Sequence, residues 1–204
     1  MKLIWHGHSC FSVETGGYTV VFDPYADGSV PGYPPLRLEA DAVYCSHGHH
    51  DHNARELVTL SGRTCPVRVE TIGCFHDDRH GLLRGKNTVH ILESEGLRIA
   101  HLGDLGHMLK GAQLDALRGL DALLIPVGGY YTIDAQTAKQ LADALSPRVV
   151  IPMHYRWEDK AYDVITEVEP FAALCDDVIR YDTDVLELTA DTPAQTAILR
   201  YVYA

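Results

Sequence analysis

No apolar run in this 204-residue sequence approaches the roughly 18 consecutive residues of a membrane span. No export signal is expected either. Only three apolar residues lie between Lys2 and His6, and a signal needs a longer run. Cysteine is sparse: Cys10, Cys45, Cys65, Cys74 and Cys175 are odd in number, scattered, and form no CxxC. That pattern counts against a disulfide scaffold and suits a reducing cytoplasm, the location expected here. Basic residues are also short, 17 Lys and Arg against 28 Asp and Glu, for a formal net charge of −11. Two bound divalent cations would still leave the protein acidic. A phosphate backbone rewards basic surface, so the expected partner is a small molecule, with neither nucleic acid nor membrane implied. Tandem repeats, low-complexity tracts and linkers are absent. Ser9 and Ser46 have no evident triad partner, and the sequence leaves the oligomeric state open.

Histidine and aspartate are what the chain does have, and they sit in one kind of place. The densest cluster, His47-Gly48-His49-His50-Asp51-His52, directly follows the strand-like run Ala42-Val43-Tyr44-Cys45-Ser46. Val67–Ile72 leads to His76, Leu97–Leu102 leads to Asp104, and Arg148–Met153 leads to His154. Each donor lies just past the carboxyl end of an apolar, β-branched segment, where the loops of an α/β sheet converge on a crevice. Imidazole and carboxylate are ligands shared by zinc, manganese and iron. Seven donors divide into two sites. His47, His49 and His76 would form one; Asp51, His52 and His154 would form the other. Asp104 would lie between them, because a carboxylate has two oxygens and can ligate both ions. His50 is off this spacing, and Cys74, two residues before His76, reads as a buried thiol.

The chain has the length of one domain, residues 1–204, and can bury roughly 70% of its unfolded surface without disulfides. Two similar halves are expected, each a run of strands followed by helices. The first holds strands at Lys2–Trp5, Cys10–Val13 and Tyr18–Phe22, with a Gly16-Gly17 hairpin turn. A Gly- and Pro-rich loop over Asp27–Leu36 and a short helix over Ala54–Leu60 complete it. In the second half, strands are expected near Val89–Leu92, Leu97–Leu102, Ala122–Pro126 and Val149–Pro152. Helices are expected over Ala112–Leu120, Asp134–Leu145 (capped by Thr132) and Ala161–Leu174, with Ala197–Val202 as a closing edge strand.

The HxHxDH pattern, the later lone His, the Gly-Asp after a strand and the final strand-His resemble the metallo-β-lactamase superfamily of binuclear hydrolases. Trp5-His6-Gly7-His8-Ser9, His101-Leu102-Gly103-Asp104, Pro126–Ala135 and Ile151-Pro152-Met153-His154-Tyr155 narrow the resemblance. They look like the small metal-dependent hydrolases of bacteria and archaea related to ascorbate-6-phosphate lactonase. The resemblance spans about residues 3 to 160, and it implies a four-layer αββα sandwich of the α/β (α+β) class.

The donor set implies two divalent ions, zinc first, with manganese, iron or nickel also accommodated. Such a pair would share a hydroxide available at neutral pH and direct it at a carbonyl or phosphorus centre. Asp104 would bridge and Asp51 could accept the proton. His8, His101 and His107 are candidates for holding ligands in place or touching substrate. Tyr130, Tyr131 and Tyr155 are candidates to donate to a substrate oxygen. The expected activity is hydrolysis of a small ester, lactone or phosphoester. An RNA phosphodiesterase or nuclease would need a basic exosite that the sequence lacks, and a non-catalytic metal- or ligand-binding module would have no use for an open hydroxide.

Overall fold

In the computed structural model, which describes residues 1–202, the chain forms two main sheets and one short two-stranded ribbon. The strands are β1 (Lys2–Trp5), β2 (Phe11–Thr15), β3 (Tyr18–Phe22), β4 (Leu38–Ala40), β5 (Ala42–Tyr44), β6 (Val58–Leu60), β7 (Arg68–Phe75), β8 (Lys86–Ser94), β9 (Leu97–His101), β10 (Ala122–Pro126), β11 (Val149–Met153), β12 (Val178–Arg180), β13 (Val185–Glu187) and β14 (Gln195–Ile198). The helices are α1 (Ala112–Asp115), α2 (Ala135–Leu145) and α3 (Glu169–Ala172).

The first sheet has the order β13-β1-β2-β3-β5, and the second β12-β14-β11-β10-β9-β8-β7. The alternation of β3 shows how the layers form. Val20 and Phe22 face the main core between the sheets, whereas Val21 joins a second cluster with Tyr25, Val30, Tyr33 and Leu36. β10, Ala-Leu-Leu-Ile-Pro, is buried throughout, because it pairs in parallel on both sides and is covered on both faces.

Pairing directions fix where the loops go. β7, β9, β10 and β11 all point the same way in the second sheet. So do β1, β3 and β5 in the first. The loops after β1, β3, β5, β7, β9 and β11, which carry His8, Asp23, the His47–His52 cluster, His76, Asp104 and His154, are thereby delivered to the carboxyl ends of their sheets.

The sandwich is thinner on one side than the sequence implies. Over the first sheet, the expected helix Ala54–Leu60 is a single 3-10 turn, Arg55–Leu57, followed by β6, which pairs in parallel with β4. The turn has no side-chain cap, and the β-branched Val58-Thr59 extends instead. In the second half α1 stops after one turn. The expected helix Ala161–Leu174 shrinks to α3, with Pro170 in its first turn, where the ring tolerates a helix start but not its interior. α2 forms with Ala138, Leu141, Ala142 and Leu145 buried, but its cap is Asp134, which accepts from the Thr137 amide at 2.8 Å. Thr132 instead donates to the Ile133 carbonyl at 3.2 Å. The last strand, β14, is internal rather than an edge: it lies between β11 and β12.

Candidate metal centre

The structure brings together all seven residues singled out by the sequence. His47, His49 and His76 each offer a ligand atom within 4.8 Å of the others. Asp51, His52 and His154 do the same, and His8 joins them. Asp104 stands between the groups. Its Oδ2 is 3.2 Å from His76 Nε2 and 3.2 Å from His154 Nε2, while Oδ1 is 3.2 Å from His52 Nε2.

The local backbone explains this convergence. Gly103 turns the chain after β9 at φ +55, and a Cβ there would come within 2.4 Å of Ser46. The Asp104 amide is held by Asn87 Oδ1 at 3.0 Å, and the Ser46 carbonyl accepts from the Thr88 amide at 2.9 Å. His8 and His154 both adopt left-handed backbone, at φ 50 and φ 51. The His8 carbonyl accepts from Trp5 Nε1 at 3.1 Å and from the His154 amide at 3.2 Å, so the two strained residues secure each other. Their rings lie 4.2 Å apart.

The electrostatics suit cations. Asp104 is fully buried. Burial pushes its pKa up, but His154 and His52 outweigh that and hold it well below the usual carboxylate range. Asp51 is lowered likewise: burial opposes, and His8 and His52 prevail. Burial drives His47 down to about 3 and His8 to about 4, so both imidazoles are neutral and ready to ligate. His52 behaves oppositely. Burial would lower it, yet Asp104 and Asp23 raise it well above its ordinary value, so the carboxylates hold a proton where a cation would compete.

The buried polar atoms provide the fit test. Both ring nitrogens of His8 and of His154, Nε2 of His52, Nδ1 of His76 and Oδ1 of Asp104 are buried without an aligned hydrogen-bond partner. Several lie near a carboxylate, as the distances above show, but none is directed along a hydrogen bond. Orphaned buried groups are costly, and their gathering among these donors fits a bound metal cation.

Other sequence candidates have other positions. His101 stacks on Phe22 with ring centroids 5.4 Å apart; its Nε2 donates to the Ser9 carbonyl at 2.9 Å and its Nδ1 accepts from the Gly103 amide at 3.2 Å. It braces the turn that carries Asp104. His107 is similarly committed, accepting from the Phe75 amide at 3.2 Å and donating to the Met108 carbonyl at 3.0 Å. Tyr155 is in the aromatic core, 5.4 Å from the Trp5 ring, rather than in the crevice. Tyr131 lines a neighbouring cavity. His50 is exposed. Cys74 is a buried thiol, pushed up to about 11 by burial, that accepts from Asn87 Nδ2 at 3.1 Å.

Three participants escaped the sequence reading. Asp23, at the end of β3, accepts from His52 Nδ1 at 2.8 Å and from Ser46 Oγ at 2.6 Å. The signal for it was the same strand-end rule, in Val20-Val21-Phe22-Asp23-Pro24. Asn87, which holds the Asp104 amide, carried no comparable mark. The Tyr162 hydroxyl reaches both the Ser29 carbonyl, at 2.7 Å, and Asp51 Oδ2, at 3.2 Å, from a segment that looked helical.

A β-lactamase superfamily domain model matches residues 2–154. The chain belongs to the metallo-β-lactamase superfamily. It is 35% identical, with a TM-score of 0.80 and 97% of each chain covered, to a crystal structure from Thermotoga maritima described as a zinc-dependent hydrolase of this superfamily. It is 28% identical to a UPF0173 metal-dependent hydrolase of Thermoplasma acidophilum, covering 89% of this chain and 93% of that protein. A metal-dependent hydrolase structure from Parabacteroides distasonis, 17% identical with a TM-score of 0.67, shares the fold. The superfamily's sandwich is the fold described above.

Proposed function

We propose that this member of the superfamily hydrolyses a small ester, lactone or phosphoester at two adjacent divalent metal ions, zinc first among them. The observation that carries the reading is Asp104, which lies 3.2 Å from histidines of both donor groups. His47, His49 and His76 would hold one ion; His8, Asp51, His52 and His154 would hold the other, with Asp104 serving both. Bound there, divalent ions supply Lewis acidity and bring the pKa of water from 15.7 toward about 7.

The chain's own residues do the rest. Asp23 fixes the His52 ring so that Nε2 faces Asp104. Asp51, half-buried and ionised, has Oδ2 within reach of the Tyr162 hydroxyl and would take up the proton in this reading. Neither Ser46 nor Cys74 is free to act as a nucleophile. Ser46 Oγ is committed to Asp23, and the Cys74 thiol is protonated at neutral pH. The acidic balance of the chain, −11, favours a small-molecule substrate over a nucleic acid.

The test is to deplete the protein of metal, restore zinc or manganese in steps, and follow bound ions together with turnover of generic esters and phosphodiesters. Two ions per chain and activity rising with the second are expected. In Asp104→Asn, which keeps the volume and removes the charge between two cations, one ion should be lost along with most of the activity. Saturation at a single ion, or turnover indifferent to metal, would overturn the reading.

A further inference from the structure

Beside the metal centre lies a cavity of about 890 Å³ that none of the donors lines. Its walls include Phe75 and Gly106, the chain neighbours of the donor loops, together with Arg84, Lys110, Tyr130 and Tyr131. Gly106 is packed so closely that a Cβ would come within 2.3 Å of the His76 backbone, which makes cavity and donor loop one surface. From the other side, Tyr131 meets Tyr162 with ring centroids 5.5 Å apart, and Tyr162 reaches Asp51.

Two cations of this cavity, Arg84 and Lys110, have no side-chain partner among the described residues, and of the two it is Arg84 that lies over aromatic rings. Its guanidinium lies 5.5 Å from the Tyr131 ring centroid and 6.0 Å from that of Tyr130, and it makes no side-chain hydrogen bond or ion pair among the described residues. A guanidinium held over aromatic rings keeps its N–H edges available for a carboxylate or phosphate. The backbone that carries it is also firmly placed. Asp77 gathers the backbone amides of Arg79, Gly81, Leu83 and Arg84 at 2.8, 2.9, 3.0 and 2.8 Å, so the loop that begins at His76 is closed on itself. Tyr130 sits at φ 57 and is 63% exposed, an unfavourable conformation for a bulky side chain that the packing nonetheless maintains.

Three aspartates share the lining, and none neutralises Arg84. Asp77 is committed to the four amides, Asp134 caps α2, and Asp78 is exposed to solvent.

We infer that Arg84, lying over the Tyr131 ring, is a specificity residue that binds an anionic group, carboxylate or phosphate, carried by the substrate away from the bond that is cleaved. The inference rests on the hydrolase reading and deepens it: the substrate class becomes anionic small esters or lactones. An unpaired guanidinium next to a hydrolytic centre gives such substrates a binding contact that neutral ones cannot use.

The test compares two chromogenic substrates of nearly equal shape, a para-nitrophenyl acetate bearing a meta carboxylate and the same ester with a meta carboxamide. The zinc-loaded protein should favour the carboxylate ester in kcat/KM. Arg84→Gln should lower that preference about tenfold, chiefly through KM, and Arg84→Lys should retain part of it. An unchanged preference in Arg84→Gln, or none in the unmodified protein, would overturn the inference. Should neither ester be turned over, the hydrolase reading fails on these substrates, and Arg84 is then judged by binding alone. The free nitrophenol bearing the carboxylate should bind about tenfold more weakly to Arg84→Gln than to the unmodified protein, and equal affinity would count against the site.

Discussion

Asp23 and His52 form a fully buried pair in which His52 Nδ1 donates to Asp23 Oδ2 at 2.8 Å. Because Nδ1 is held by Asp23, Nε2 is the nitrogen that faces Asp104 and Asp51, where a cation would displace its proton. Asp23 also accepts from the Ser46 amide at 2.7 Å and from Ser46 Oγ, and the same hydroxyl lies 2.9 Å from His47 Nδ1. One carboxylate therefore orients a histidine of each donor group.

It follows that Asp23→Ala should weaken metal binding although Asp23 is in neither donor group. Outer partners of ligating histidines are worth roughly 10- to 100-fold in metal affinity. Competition against a calibrated chelator would measure it. Affinity within twofold of the unmodified protein would mean that packing alone orients His52.

The donors were legible in the sequence because one local rule covers them: an apolar, β-branched run that ends in His or Asp. β5, β7, β9 and β11 obey it: the last three run the same way in the second sheet, and β5 brings its loop from the first. Asp23 obeys it as well and was missed only because a lone Asp-Pro after a strand also reads as a turn. His8 was harder to judge. Its role depends on a left-handed backbone held by Trp5 and His154, and the second of these lies 146 positions away. Helix propensity over Ala161–Leu174 lost to tertiary contacts, among them the Ala161 amide bonded to the Pro31 carbonyl and the Thr166 amide bonded to that of Gly128. Tyr155 follows His154 by one residue, yet its ring is placed against Trp5 in the core while His154 faces the site.

His8 supplies the second prediction. Its two ring nitrogens are buried without an aligned hydrogen-bond partner, and Nε2 lies 3.5 Å from Asp51 Oδ2. As a donor to the ion held by Asp51, His52 and His154, it should matter for that ion and not for the other. In His8→Ala, cobalt titration should show one ion binding as before and the second weakened by about tenfold or more, with the visible spectrum of that ion altered. Two unchanged binding steps would place His8 in a packing role. His107→Ala, whose ring serves only backbone groups, is the control.

Asp41 supplies a prediction in pH, well away from the metal centre. Its carboxylate accepts from Ser61 Oγ, from the Thr19 amide at 2.8 Å and from Arg63, joining β3 to the segment that follows β6. The Ser61 hydroxyl, the Thr19 amide and Arg63 draw its pKa down to about 2. The folded value is thus depressed below the unfolded value of about 3.9. The sign of the linkage is then fixed: the stabilisation is fully present above the unfolded value and disappears as pH falls through the folded one. Asp41→Asn should therefore unfold at lower denaturant than the unmodified protein at pH near 6. The gap between the two should close as pH drops from about 4 toward about 2. Comparing the two proteins at each pH removes the other acid effects common to both, including loss of metal. A gap that stayed constant over this range would show that volume and hydrogen bonding at Asp41, rather than its charge, hold these strands together.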